Sequence, residues 1–260
     1  MSFATILVTE EDRIRRITLN RPERRNAMTP EMQTELIAAM KEAAASDCLV
    51  VVFAGAGDAF CAGLDLSALQ QMNDKSAAEF TADAERVARL FRTLYELPKP
   101  TIAMAHGPAI AGGTGLATMC DFTLATPGAK FGYTEVRIGF VPAVVSAFLI
   151  LQIGEKRARD LLMTARLFTS EEALRLGLVN EVVEAERLEA RMLEIVAVLK
   201  ANSPEALSAT KRLLNAQNKD WLDTAIAEAL AANAEARSTH DFGEGVSAFL
   251  EKRKPVWGKA

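Results

Sequence analysis

The run Gly112-Gly113-Thr114-Gly115 follows an apolar stretch and opens a segment with helical spacing. Glycines at a helix start let a ligand approach the backbone closely, and three chemistries use that arrangement. A dinucleotide-binding turn needs Gly-x-Gly-x-x-Gly after the first strand; Gly113 and Gly115 fit, but Thr118 stands where the third glycine belongs. A phosphate loop needs Gly-Lys-Ser/Thr at its end, and the run has no lysine. The third chemistry is an oxyanion hole. Amides in the first turn of a helix are unpaired and the helix dipole favours negative charge there. One such amide and one from a second loop can together stabilise a carbonyl oxygen that gains charge. The segment "GDAFCAGLDL", with its Ala62-Gly63 pair, is the candidate second loop. Taken alone each loop reads as a tight turn; the pair is what points to chemistry.

These loops need elements to hold them. "ATILVTE" and "RIRRITL" read as a hairpin around a Glu-Glu-Asp turn, and "CLVVVFAGA" as a buried strand leading into the first loop. "TPEMQTELIAAMKEAAAS" has a threonine cap followed by proline and then helical spacing. A helix is expected over about 76–97 and a second buried strand at "TIAMA", just before the glycine run. Strands alternate with helices to about residue 183, which argues an α/β fold. Beyond 185 the pattern is nearly all helical, with a break and new cap at "ANSPEAL" and a last helix expected to stop at Pro255. The expected organisation is an α/β core over 1–185 and a helical region over 186–260.

Composition narrows the function classes. The chain has 260 residues, half of them hydrophobic, and a formal net charge of −4. Mild acidity without a basic stripe argues against nucleic acid as a partner. No run reaches the roughly 18 apolar residues of a membrane span, and the N-terminus lacks a secretory pattern. Cys48, Cys61 and Cys120 show no metal-ligand spacing and read as reduced thiols. A cytoplasmic location, no metal and no membrane partner are therefore expected. His106, before a Gly-Pro pair, reads as a turn residue.

Six segments stand in order and register: "LNRPERRNAMTPEM", "FCAGLDL", "HGPAIAGGTGLATMCDF", "FGYTEVRIGFVP", "RARDLLMTARLFTSEEALRLGLVNEVV" and "FLEKRKP". Together they resemble the crotonase superfamily, the enoyl-CoA hydratases and isomerases, over nearly the whole chain. The resemblance implies a spiral core of ββα units with a C-terminal helical region, assembled as trimers or hexamers. It also implies an acyl-CoA thioester substrate, whose coenzyme A is part of the substrate, so that no separate cofactor is expected.

Carried over residue by residue, the family pattern makes the Leu64 and Gly112 amides the two oxyanion donors. Of the two glutamates of the best-known hydratases, the second is present as Glu135 in "FGYTEV", while Gly115 occupies the place of the first. Glu135 is then the lone carboxylate for proton transfer. It could activate water, which is hydration of a trans-2-enoyl-CoA, or carry a proton between two carbons, which is isomerisation. A non-catalytic acyl-CoA-binding protein is a further alternative. An aspartate used by dienoyl isomerases and dehalogenases is absent, its place being taken by Ala143. By the same resemblance Ala62 and Leu66 flank coenzyme A with Asp65 nearby, Arg25 (with Arg24) could meet a phosphate, and Phe249 and Lys252 reach coenzyme A from the tail. Leu69, Met72, Leu90 and Phe140 are candidates for an acyl pocket. For Asp65 and Asp121, capping or a strand-end hydrogen bond is the preferred reading.

Overall fold

The computed structural model describes residues 3–65 and 77–258. Its main sheet has six strands in the order β1-β2-β3-β4-β6-β9: β1 (Ile6–Glu11), β2 (Ile14–Leu19), β3 (Val50–Gly55), β4 (Thr101–Ala105), β6 (Phe122–Ala125) and β9 (Glu181–Val182). β1 and β2 form the expected antiparallel hairpin, with Ile6 opposite Leu19. Its turn falls on Asp12 and Arg13, both at positive φ (48° and 61°), as a two-residue hairpin turn requires. All other pairings in this sheet are parallel.

The unbroken apolar strands follow from burial on both faces. On β3, Val51 and Phe53 pack with α1 (Pro30–Ala45) and α2 (Ala77–Glu96). Val50 and Val52, pointing the other way, pack against Leu188, Met192, Ile195 and Val196 of α7 (Leu188–Lys200). β4 divides in the same manner, Ala103 and Ala105 to one side, Ile102 and Met104 to the other. The first helix of the C-terminal region thus closes the back of the sheet. α1 starts as its sequence predicts: Thr29 Oγ1 accepts the Met32 N–H at 3.2 Å and Pro30 takes the first helical position.

A small second sheet joins β5 (Ala109–Ile110), β7 (Lys130–Gly132) and β8 (Phe168–Thr169) beside the glycine run, which forms α3 (Gly112–Thr118). Then come α4 (Ala143–Ile153), α5 (Glu155–Thr164), α6 (Ser170–Leu176), α8 (Pro204–Gln217), α9 (Lys219–Arg237) and α10 (His240–Leu250). α9 lies against α4 and α2. α8 carries the expected new cap, Ser203 Oγ accepting from the Ala206 N–H. The last helix departs from expectation, ending at Leu250, five residues before Pro255. Lys252 turns left-handed (φ 56°), and Lys252 and Arg253 return their amides to Phe249 and Ala248. This Schellman-type closure stops the helix before proline can. No helix among the described residues is long and apolar enough to cross a membrane.

Candidate active site

Two short bridges fasten the loops of interest together. Cys61 pairs in parallel with Ala109, the Cys61 carbonyl accepting the Ile110 N–H at 2.9 Å. Leu64 pairs with Met28, through the Met28 N–H to Gly63 (2.7 Å) and the Asp65 N–H to Met28 (3.1 Å). Both of these bonds use the neighbours of Leu64, so its own amide faces away from Met28. Gly63 has φ 91°, and a Cβ placed there would lie 2.8 Å from the Ile110 oxygen and 3.6 Å from the Gly112 nitrogen. Only glycine permits both the angle and the approach.

On the other side Ala111 holds φ 51°, ψ −123° at the start of α3. That is a strained position for a residue with a Cβ, costing roughly 1–3 kcal/mol. It is fixed by the Ala111 N–H to Gly132 (2.6 Å) and by Thr114, whose hydroxyl donates to Ala109 (2.6 Å) and accepts from the Gly132 N–H (3.0 Å). Neither the Leu64 nor the Gly112 N–H has an acceptor among the described residues. Both residues line one cavity of about 430 Å³.

Glu135 lines the same cavity, at the start of a 3-10 turn (Glu135–Ile138) that follows β7. Its Oε2 is buried and has no hydrogen-bond partner among the described residues. Loss of solvent pushes its pKa up to about 7, against a smaller lowering by its own backbone N–H. Such a group is poised to exchange protons near neutrality. Apolar side chains make up much of the wall, among them Val87 and Phe91 of α2, Ile110, Phe140 and Val145, and Thr134 and Arg137 line it as well.

Gly115 faces packed side chains. A Cβ at Gly115 would lie 2.7 Å from Val145 Cγ1 and 3.3 Å from both Met119 Cε and Phe91 Cε1. The space in which a carboxylate would begin is therefore filled.

The other expected residues divide. Ala62 and Phe249 line the cavity; Arg25 does not, but its carbonyl accepts the Ala62 N–H at 2.9 Å, placing it beside the first loop. Asp65 is turned to Arg21 (3.0 Å) and Lys252 forms the helix-closing turn; neither lines the cavity. Leu66, Leu69 and Met72 lie outside the described residues. Phe140 is in the wall, whereas Leu90 is core, its neighbours Val87 and Phe91 taking the wall positions. His106 bonds Gly57 O (2.8 Å) in a turn, and Asp121 ties the strand end at Thr101 and Lys211. Asn233 and Arg237 of α9 also line the cavity, and sequence reading missed them. Their four-residue spacing puts them on one helix face, but nothing in the sequence says which cavity that face meets.

Comparison with known proteins identifies the family. The sequence profile described as "Enoyl-CoA hydratase/isomerase" matches residues 9–260. A Thermus thermophilus protein provisionally named enoyl-CoA hydratase is 41% identical over 247 residues, spanning 95% of this chain and 98% of its own. The short-chain-enoyl-CoA hydratase of Clostridium acetobutylicum is 34% identical over 257 residues, covering 98% and 97% of the two chains. A crystal structure of an enoyl-CoA hydratase/isomerase from Xanthobacter autotrophicus superposes with a TM-score of 0.90 at 31% identity, over 96% of this chain and 94% of that one. The α/β core, the helical tail and the full-length match together place this chain in the enoyl-CoA hydratase/isomerase family, with the crotonase fold.

Proposed function

We propose that this enzyme hydrates trans-2-enoyl-CoA thioesters, or runs the reverse dehydration, with Glu135 as its single acid and base. The observation that carries the reading is a buried carboxylate oxygen and two backbone amides, none with a hydrogen-bond partner among the described residues, sharing one largely apolar cavity. In this scheme the thioester oxygen sits between the Leu64 and Gly112 N–H groups. Glu135 takes a proton from water, the water oxygen bonds to C3, and the double-bond electrons move onto the thioester oxygen. The amides hold that enolate without reorganising, each worth roughly 3 kcal/mol in comparable sites. Protonated Glu135 then returns its proton to C2, and atoms and charge balance without a metal or second cofactor.

Coenzyme A would run past Ala62 and Arg25, with Phe249 at the mouth, and a homotrimer or hexamer remains our proposed assembly. The hydratase names of the relatives favour hydration. One observation favours isomerisation as a second reading: the volume beside Gly115 is filled by packed side chains, which leaves no second acid there. Purified enzyme given crotonyl-CoA in isotopically labelled water separates the two. Hydration places the label in a 3-hydroxyacyl product. Conversion of a 3-enoyl-CoA to the 2-enoyl isomer, with crotonyl-CoA unchanged, would overturn hydration in favour of the second reading.

A further inference from the structure

Within the run Gly112–Gly115 only Thr114 has a side chain, and it is fully buried without lining the cavity. Its hydroxyl donates to the Ala109 carbonyl at 2.6 Å, with the Gly132 carbonyl at 3.0 Å as a second acceptor, and its oxygen accepts the Gly132 N–H at 3.0 Å. Each of these partners leads to a different part of the site. Thr114 itself stands two residues after Gly112 in α3. Ala109 of β5 is bridged to Cys61, three residues before Leu64. Gly132 of β7 lies three residues before Glu135. One hydroxyl therefore links the segments that carry both candidate donors and the candidate acid.

The segments need such a link. β5 and β7 pair through only Ala109–Phe131 and Ile110–Gly132, and the glycines around Thr114 leave the backbone free to rotate. Ala111, just before the run, holds a positive φ of 51°. A conformation of that kind persists only where its surroundings over-determine it. Ala111 gives its N–H to Gly132 at 2.6 Å, the same residue that Thr114 holds. Amide donors stabilise an oxyanion only when they meet it at hydrogen-bond distance, and a misplacement of about 1 Å can cost about a hundredfold in rate.

We propose that Thr114 is a positioning residue, its hydroxyl fixing the Leu64 and Gly112 amides and Glu135 relative to one another, so that it serves the transition state and not substrate binding. This rests on reading the cavity as an acyl-CoA site with those two amides as oxyanion donors. The test reads the bound thioester directly. Hexanoyl-CoA, isotopically labelled at the carbonyl carbon, is bound to the wild type and to Thr114→Val, Thr114→Ala and Thr114→Ser, and its carbonyl stretch is followed by infrared difference spectroscopy. In the wild type the stretch should move to lower frequency than in water. Thr114→Val and Thr114→Ala, which lack the hydroxyl, should lose most of that shift, and Thr114→Ser should keep it. With an enoyl thioester that the wild type turns over, kcat should fall between about tenfold and a hundredfold in the first two variants. KM should stay within about twofold, and Thr114→Ser should recover kcat to within about threefold of wild type. A wild-type shift that persists in both hydroxyl-free variants overturns this proposal alone. So does a rise in KM at unchanged kcat, or a failure of both variants to fold, either of which gives the hydroxyl another role. A wild type that leaves the bound carbonyl unshifted overturns the acyl-CoA reading, and this proposal with it.

Discussion

Positions 115 and 135 match, by the resemblance read from the sequence, the two glutamates of the best-known hydratases, and the structure treats them oppositely. At 135 the side chain lines a cavity and one oxygen has no hydrogen-bond partner among the described residues. At 115 the volume belongs to Val145, Phe91 and Met119. The contrast teaches that the missing acid is built into the packing: α4 and α2 have closed over the vacancy. Restoring a glutamate there would need a compensating loss on α4. The absence of a second carboxylate beside Glu135 is thus a property of the core packing as much as of one residue.

The largest effect should come from Glu135→Gln, which keeps the shape and removes the proton exchange. A loss of about a thousandfold in kcat is expected, within the usual range for general acid–base catalysis, measured on whichever enoyl thioester the wild type turns over. A loss of less than about tenfold would move the chemistry to another group and dissolve the contrast.

Next in size is a pH effect on stability. The folded-state pKa of Glu135, about 7, lies above an unfolded value of about 4.3. Between those values the native state holds a proton that the unfolded chain has shed, so stability falls as pH rises. This contribution is complete below about pH 4 and lost through about pH 7, amounting to on the order of 3 kcal/mol. Glu135→Gln lacks it, so urea unfolding should show the variant gaining on the wild type from acid to alkaline pH. Parallel curves would mean the carboxylate is already well solvated.

The smallest effect concerns position 115. Gly115→Ala gains helix propensity but crowds Val145, for a net destabilisation of about 1 kcal/mol. Combined with Val145→Ala, the two changes should be non-additive by at least about 0.5 kcal/mol, because one removes the atom the other meets. Strict additivity in a double-mutant cycle would show that the site has room after all.

Much of the scaffold is legible locally. The Thr29-Pro30 start of α1, the valine run of β3 and the Ser203-Pro204 restart are short-range consequences of capping and double-sided burial. The candidate site is legible in part: the glycine run and the Ala62-Gly63 pair are visible because backbone approach demands particular residue types, whereas Glu135 stands out only through the resemblance to the crotonase superfamily. The acyl wall is not. Leu90 is as apolar as Val87 and Phe91, and which of them meets the cavity depends on the helix rotation that packing selects.

The amino-acid order by itself determined the hairpin, the helix starts, the two glycine-bearing loops and the absence of an acid at 115, since each depends on neighbours in the chain. Only the tertiary structure decided that Val145 fills that vacancy, that burial lifts Glu135 toward neutrality, and that Arg237 shares its cavity. Desolvation and steric exclusion are set by atoms distant in sequence, so no local pattern encodes them.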